Sequence, residues 1–388
     1  MAAARPVGPR LAVDPTGAAP EAARRRGTAT LQGPFEIAGR RVRRGERLQF
    51  ELPMAQLYTQ TPLDMAVEVI HGRWQGPVLL VCAGIHGDEL NGIEIIRRLR
   101  TLSSLDRLRG TLVLVPIVNL FGFLSQSRYL PDRRDLNRSF PGTEKGSVAA
   151  RTANLFFRSV VSCCTHAVDL HTAAVNRENL PQIRAALDQP GVEAMARGFG
   201  IPVIVNSGLL GQSLRAEAGK IGIPVIAYEA GEALRLDEKA IVAGVRGVVN
   251  VMRTLDMLPA RRSRTVRAEP YVANATSWFR SPSDGLFRPL ARLGAHVQQG
   301  DTLGVVSAPF SADDMVLAAP FEGIVICVNR LPLVNEGDAL FHLARFGAVS
   351  AVEGEIASHD SGLAEDPLYE IESVEDIERE DAAEGDRD

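Results

Sequence analysis

Pro77-Val-Leu-Leu-Val-Cys-Ala-Gly-Ile-His86-Gly-Asp-Glu89-Leu-Asn-Gly-Ile-Glu-Ile-Ile-Arg-Arg-Leu99 is the stretch that decides the architecture. Its first half is an apolar run of strand length, and its second half repeats apolar residues at helical spacing. The reading places His86 where a strand ends and Glu89 in the first turn of the helix that follows. Working outward, the same alternation recurs. Strands are predicted over 48–52, 65–70, 78–85, 111–118, 165–170, 201–205 and 224–228, and helices over 90–99, 148–161, 212–219 and 240–255. In the last helix Ile241, Val245, Val248, Met252 and Leu255 form one apolar stripe. Strands alternating with helices predict an α/β fold with a mixed, largely parallel sheet covered by helices on both faces.

His86 and Glu89 are joined by a second phrase, Asp169-Leu-His171-Thr172, which closes the predicted strand 165–170. Two imidazoles and one carboxylate suit a catalytic zinc, which takes three protein ligands and keeps a fourth position for water. Strand ends of an open α/β sheet are where such a site forms. Taken singly, a His at a strand end is an ordinary polar cap, and a Glu in a first helical turn merely suits the helix dipole. The set of three points to a metal.

A hydrolytic metal site needs a carboxylate beside the attacking water. Glu229 closes the predicted strand 224–228 and is the candidate. Glu232 competes but lies beyond the Gly231 turn. Asp169 precedes His171 by two residues, so in an extended chain both side chains share a face. There Asp169 either holds the second ring N–H of His171 or is an ordinary strand-end Asp. In the polar loop Asp135-Leu-Asn137-Arg138, Asn137 and Arg138 together can grip a carboxylate. Upstream, Arg128 can polarise a scissile carbonyl and stabilise the oxyanion.

The bulk numbers bound the class. A chain of 388 residues, 45% hydrophobic and 23% charged, suits a soluble globular protein of two domains. No apolar run reaches membrane-spanning length, and the first thirty residues lack the apolar region of a secretory signal. Four cysteines without a Cys-x-x-Cys pattern fit buried free thiols in a reducing cytoplasm. Residues 353–388 hold 15 Asp or Glu against two Arg, a net of −13. That leaves 41 basic and 32 acidic residues elsewhere, a net of +9. A basic body suits an anionic substrate. With 5% aromatic residues and no basic–aromatic interleaving, nucleic acid is not expected as a partner.

Four units are expected. These are a flexible N-terminal arm over 1–32, a catalytic α/β domain over 33–260, a β-sandwich over 265–345 and an acidic disordered tail over 346–388. The arginines at 261, 262, 264 and 267 read as a polar linker. Beyond them, short strands and Gly turns in 293–303, 319–325 and 334–340 resemble a biotinyl/lipoyl-like sandwich. Lys145, Lys220 and Lys239 are the only lysines and none lies there, which excludes a prosthetic-group carrier.

Gly84-Ile-His-Gly-Asp-Glu89, Asn119 in Pro116-Ile-Val-Asn119, Asp135-Leu-Asn-Arg138, Asp169-Leu-His171-Thr172 and Tyr228-Glu229 together resemble the succinylglutamate desuccinylase/aspartoacylase family, amidohydrolase relatives of zinc carboxypeptidases. The resemblance spans roughly residues 60–345. It implies one zinc per chain on His86, Glu89 and His171, and Glu229 as general base and then acid. It places Arg128 on the carbonyl, and Asn137 and Arg138 on the substrate carboxylate. It also implies hydrolysis of the amide of a small anionic N-acyl amino acid. A carboxypeptidase-like zinc peptidase and a non-catalytic binding protein are the alternatives. No membrane partner is expected, and a homo-oligomer is compatible with the reading.

Overall fold

The structure, a computed structural model, describes residues 30–260, 269–310, 314–347 and 349–364. The N-terminal arm as far as residue 29, the arginine linker 261–268 and the tail from 365 lie outside the described residues.

A 13-stranded mixed sheet organises the chain. Its centre is parallel: Val225–Glu232, His166–Ala173, Trp74–Ala83 and Arg109–Val115 lie side by side in that order. These strands read as near-continuous apolar runs because both their faces are covered. On either side the sheet turns antiparallel. Pro62–His71 and Arg47–Gln56 continue one flank, and Arg177–Ala185 begins the other. The sheet is therefore mixed: parallel at its centre and where Val203–Asn206 pairs with Arg177–Ala185 and with Tyr271–Ala273, antiparallel elsewhere.

Helices pack on both faces. On one, Asn91–Leu99, Val192–Phe199 and Glu238–Thr254 bury Ile95, Phe199, Ile241, Val245 and Val248 against the strands. On the other, Val148–Ser159 buries Ala153, Phe156 and Phe157. No helix of the described residues is long and apolar enough to cross a membrane.

The C-terminal β region is continuous with this sheet. Gly323–Asn329 pairs antiparallel with Arg177–Ala185. Ala339–Arg345 and then Ala275–Arg280 follow it outward. A separate four-stranded sheet, including Gly285–Pro289 and Thr302–Ser307, closes over them around Phe287, Leu303, Val306, Leu340 and Phe341. Beyond it, Val349–Ala364 is a helix that buries Val352, Ile356 and Leu363. This differs from a tail disordered from residue 346. Val352, Ile356 and Leu363 anchor a segment that also carries Glu353, Glu355 and Asp360.

Candidate metal centre and active-site cavity

The strand Trp74–Ala83 ends at Gly84, whose φ of +62° turns the chain over the carboxyl edge of the sheet. Glu89 lies in the turn that follows, its N–H bonded to the His86 carbonyl at 3.3 Å. The helix begins at Asn91, one residue later than the predicted 90–99, so Glu89 lies before its first turn and not in it. Gly92 sets the depth of that helix. A Cβ there would lie 2.7 Å from both Ala83 Cβ and Leu170 Cβ, so only glycine lets the first turn settle onto the strands that carry the site.

His86, Glu89 and His171 converge, their potential ligand atoms all within 4.8 Å of one another and all three residues buried. His86 Nδ1 is 2.7 Å from Glu89 Oε1 and His171 Nδ1 is 2.8 Å from Oε2. The far ring nitrogens are held by two more carboxylates. Asp169 Oδ2 lies 2.7 Å from His171 Nε2, and Asp135 Oδ1 lies 3.2 Å from His86 Nε2. Each imidazole thus offers Nδ1 inward while a carboxylate fixes its other nitrogen, the arrangement that orients metal-binding histidines. Two imidazoles and a buried carboxylate are a donor set that could hold a metal ion.

Electrostatics agree with the geometry. Burial alone would raise the Glu89 carboxyl, yet His86 and His171 hold it well below the ordinary range. Burial opposes the charged form of His171, but Asp169 and Glu89 outweigh it and raise its pKa. Asp135 is held low against its own burial by His86 and Arg128.

The trio opens into a cavity of about 220 Å³. Glu229 lines it from the neighbouring strand, where it pairs in parallel register with His171. Its Oε2 accepts from Asn179 Nδ2 at 3.0 Å, and Arg184 Nε lies 3.7 Å from Oε1. Glu232 instead accepts from the Asn176 N–H at 2.9 Å and does not line the cavity. Arg128 does, donating to Glu89 Oε1 at 3.2 Å and Asp135 Oδ2 at 3.0 Å. Asn119 steadies that region by capping the short helix Leu120–Leu124 and donating to the Arg128 carbonyl at 3.4 Å. Asn137 and Arg138 lie on the cavity wall. The Asn137 side-chain Oδ1 accepts from the Leu214 N–H at 2.9 Å, and the exposed Arg138 side chain donates to the Asn137 backbone carbonyl at 2.6 Å. All eight site residues read from the sequence thus meet in one region, and all eight line the cavity, His86, Glu89 and His171 among them.

Other wall residues had no local signal. Asp135 was visible in its phrase but not as the partner of His86. Arg177, Asn179 and Arg184 come from a strand whose sequence, Arg-Glu-Asn-Leu-Pro-Gln-Ile-Arg-Ala, lacks clean apolar alternation. Cys327 and Trp278 arrive from the C-terminal strands. Trp278, His342, Cys327 and Asn179 occupy one register row across four adjacent strands, and the Trp278 indole stacks on His342 with ring centroids 4.3 Å apart. The four cysteines are free thiols.

Residues 75–255 match the succinylglutamate desuccinylase/aspartoacylase catalytic domain. The N-alpha-acetyl-L-2,4-diaminobutyric acid deacetylase of Halomonas elongata is 26% identical over 302 residues, which cover 70% of this chain and 83% of that protein. A succinylglutamate desuccinylase/aspartoacylase from Rhodobacter sphaeroides superposes with a TM-score of 0.68 at 25% identity, covering 77% of this chain and 96% of the other. The product-bound ectoine utilization protein EutE (DoeB) from Ruegeria pomeroyi gives 0.70 at 24% identity, with 80% and 97% covered, a likeness of fold.

Proposed function

We propose that this chain, which carries the catalytic domain of the succinylglutamate desuccinylase/aspartoacylase family, is a zinc-dependent hydrolase that releases the acyl group from an N-acyl amino acid. The observation that carries the reading is the buried His86–Glu89–His171 cluster at the floor of a cavity that also holds Glu229 and several arginines. The likeness to an acetyl-diaminobutyrate deacetylase supports an amide of a small amino acid as substrate.

One zinc per chain would be held by His86 Nδ1, His171 Nδ1 and the Glu89 carboxylate, with Asp169 and Asp135 fixing the two rings. Bound there, zinc supplies Lewis acidity, lowering the pKa of water and polarising the amide carbonyl. Glu229 takes the proton of the attacking water on its carboxylate and later delivers it to the leaving nitrogen. Asn179 and Arg184 hold that carboxylate facing the cavity. Arg128, already turned toward the centre by Glu89 and Asp135, donates to the oxygen that gains charge in the transition state. Arg138 and the amide nitrogen of Asn137 bind the substrate carboxylate. The region 33–260 acts as the catalytic domain. The β region 265–345, biotinyl/lipoyl-like but without a carrier lysine, completes the cavity wall with Trp278 and Cys327.

The test is a panel of N-acetyl and N-succinyl amino acids and small peptides, scored for release of acid and amine. The reading expects a small carboxylic acid and a free amino acid from the N-acyl substrates. Exclusive cleavage of C-terminal residues from peptides would instead assign a carboxypeptidase, and no turnover of any would point to a binding protein.

A further inference from the structure

A second depression, of about 150 Å³, lies beside the catalytic cavity. Pro190, Val192, Leu209, Ile223 and Pro224 give it apolar walls, and Arg215 is its one charged side chain. Arg215 also lines the catalytic cavity, so its guanidinium stands at the boundary between the two. Its side-chain hydrogen bonds are two long ones, both 3.4 Å, to Ser207 Oγ. Among the described residues no carboxylate pairs with it. Burial pushes the guanidinium pKa down, and although Glu229 and Asp169 pull it back, Arg184 and Arg138 add to the fall. A half-buried guanidinium with poor partners is a receptor for a carboxylate, which its planar donors can take in a two-pronged bond. The volume is far below the ~300–1,000 Å³ of sites for drug-sized ligands, so the occupant is small.

We propose that this depression binds a short-chain monocarboxylate, its carboxylate on Arg215 and its alkyl tail against Pro190, Val192, Ile223 and Pro224. Occupancy is transmitted to the catalytic cavity by Arg215 and by the segment 207–211, whose Leu209 lines one cavity and Leu210 the other. The acid released by deacylation belongs to this chemical class, so the site provides product feedback. That last clause rests on the function proposed above, whereas the binding does not.

Gly219 gives a selective probe. It lies in the helix Leu214–Lys220 and lines only the second depression. A Cβ there meets nothing closer than Gln189 Oε1 at 3.7 Å and Leu209 Cδ1 at 3.9 Å, ordinary contact distances. A β-carbon therefore fits there without a clash, and Gly219→Leu adds an apolar side chain to the lining of the depression while improving helix propensity. The full chain is titrated calorimetrically with sodium butyrate and with butyramide. Wild type should bind butyrate saturably and butyramide about ten- to a hundredfold more weakly, the value of a charge-assisted hydrogen bond. Gly219→Leu and Arg215→Met should each lose butyrate binding by at least about tenfold. In turnover assays butyrate should inhibit wild type only partially, to a non-zero plateau, because substrate and butyrate bind together. Gly219→Leu should be insensitive, with uninhibited kcat/KM within about twofold of wild type. Equal binding of butyrate and butyramide, undiminished butyrate binding by Gly219→Leu, or strictly competitive inhibition running to zero would each overturn the proposal. The calorimetric arm needs no catalysis, so it decides the site even if the chain deacylates nothing.

Discussion

Removing the charge behind each imidazole separates the two histidines by how tightly they are held. Asp169 is 1% exposed and lies 2.7 Å from His171 Nε2, whereas the Asp135 side chain is 17% exposed, lies 3.2 Å from His86 Nε2, and is shared with Arg128 and the Asn137 N–H. Carboxylates in this position are worth about 10–100-fold in metal affinity, or about 1.4–2.7 kcal/mol. The buried and shorter contact belongs at the upper end of that range; the other Asp169 oxygen meets only the weak Cys82 Sγ donor, at 3.6 Å. Asp169→Asn should therefore weaken zinc about a hundredfold, and Asp135→Asn nearer tenfold. Competition against a chromophoric chelator gives both dissociation constants. The same difference should appear as a smaller zinc-induced gain in stability at fixed free zinc, by up to about 2.7 kcal/mol for Asp169→Asn, since a ligand stabilises through the logarithm of its concentration over Kd. Thermal unfolding without zinc controls for damage to the fold. Wild-type zinc affinity in both variants, or a larger effect at Asp135, would refute the argument that these carboxylates orient the ligand rings.

Glu229→Gln keeps the shape of the side chain and its place beside Asn179 while removing the proton acceptor. It should lower kcat by about 10²–10⁴-fold with zinc content unchanged, and near-normal turnover would remove Glu229 from proton transfer. Gly247→Ala sets helix propensity against packing. The new Cβ would lie 1.9 Å from Phe199, a buried ring that cannot retreat because it stacks on Tyr228. The propensity gain of about 1 kcal/mol should lose to overpacking of about 1–3 kcal/mol or more, which denaturant unfolding would register as a net loss of stability. His342 gives a pH test at a residue outside the His86–Glu89–His171 cluster. Burial and Arg184 push its pKa down to about 3, so the unfolded chain protonates first as pH falls below about 6.5. Stability should thus fall from pH 6.5 toward 3 with a contribution of at most about 1.4 kcal/mol per pH unit. His342→Phe, compared with wild type in urea unfolding between pH 6 and 4, should show the shallower slope, and identical slopes would contradict the buried neutral imidazole.

How much of this was legible in the sequence depended on distance along the chain. His86, Glu89, Asp169 and His171 could be placed because each phrase sits at the end of an apolar run, and strand ends of such sheets gather at one edge. Glu229 followed by the same logic, and its parallel register with His171 is what that logic requires. Antiparallel flanks were not legible. Arg177–Ala185 carries cavity residues on a polar strand, and no local pattern tells that Gly323–Asn329, far along the chain, pairs with it. For the same reason the C-terminal β region reads as a separate domain, although five of its strands belong to the 13-stranded sheet. Asp135 as the partner of His86, and Arg215 between two cavities, arise from loops and helix ends brought together only by the tertiary fold. Helix Val349–Ala364 was hidden because it overlaps the start of the acid-rich stretch 353–388.

The central claim is that one metal on His86, Glu89 and His171 is required for hydrolysis of an N-acyl amino acid. The most direct measurement is metal content and acid release on the same preparations: as purified, after chelation, after zinc is restored, and in His171→Ala. The account predicts one zinc per chain, loss of acid release with chelation, recovery in proportion to restored zinc, and neither zinc nor turnover in a folded His171→Ala variant. Undiminished acid release from the metal-free protein, or a full equivalent of zinc in His171→Ala, would contradict it.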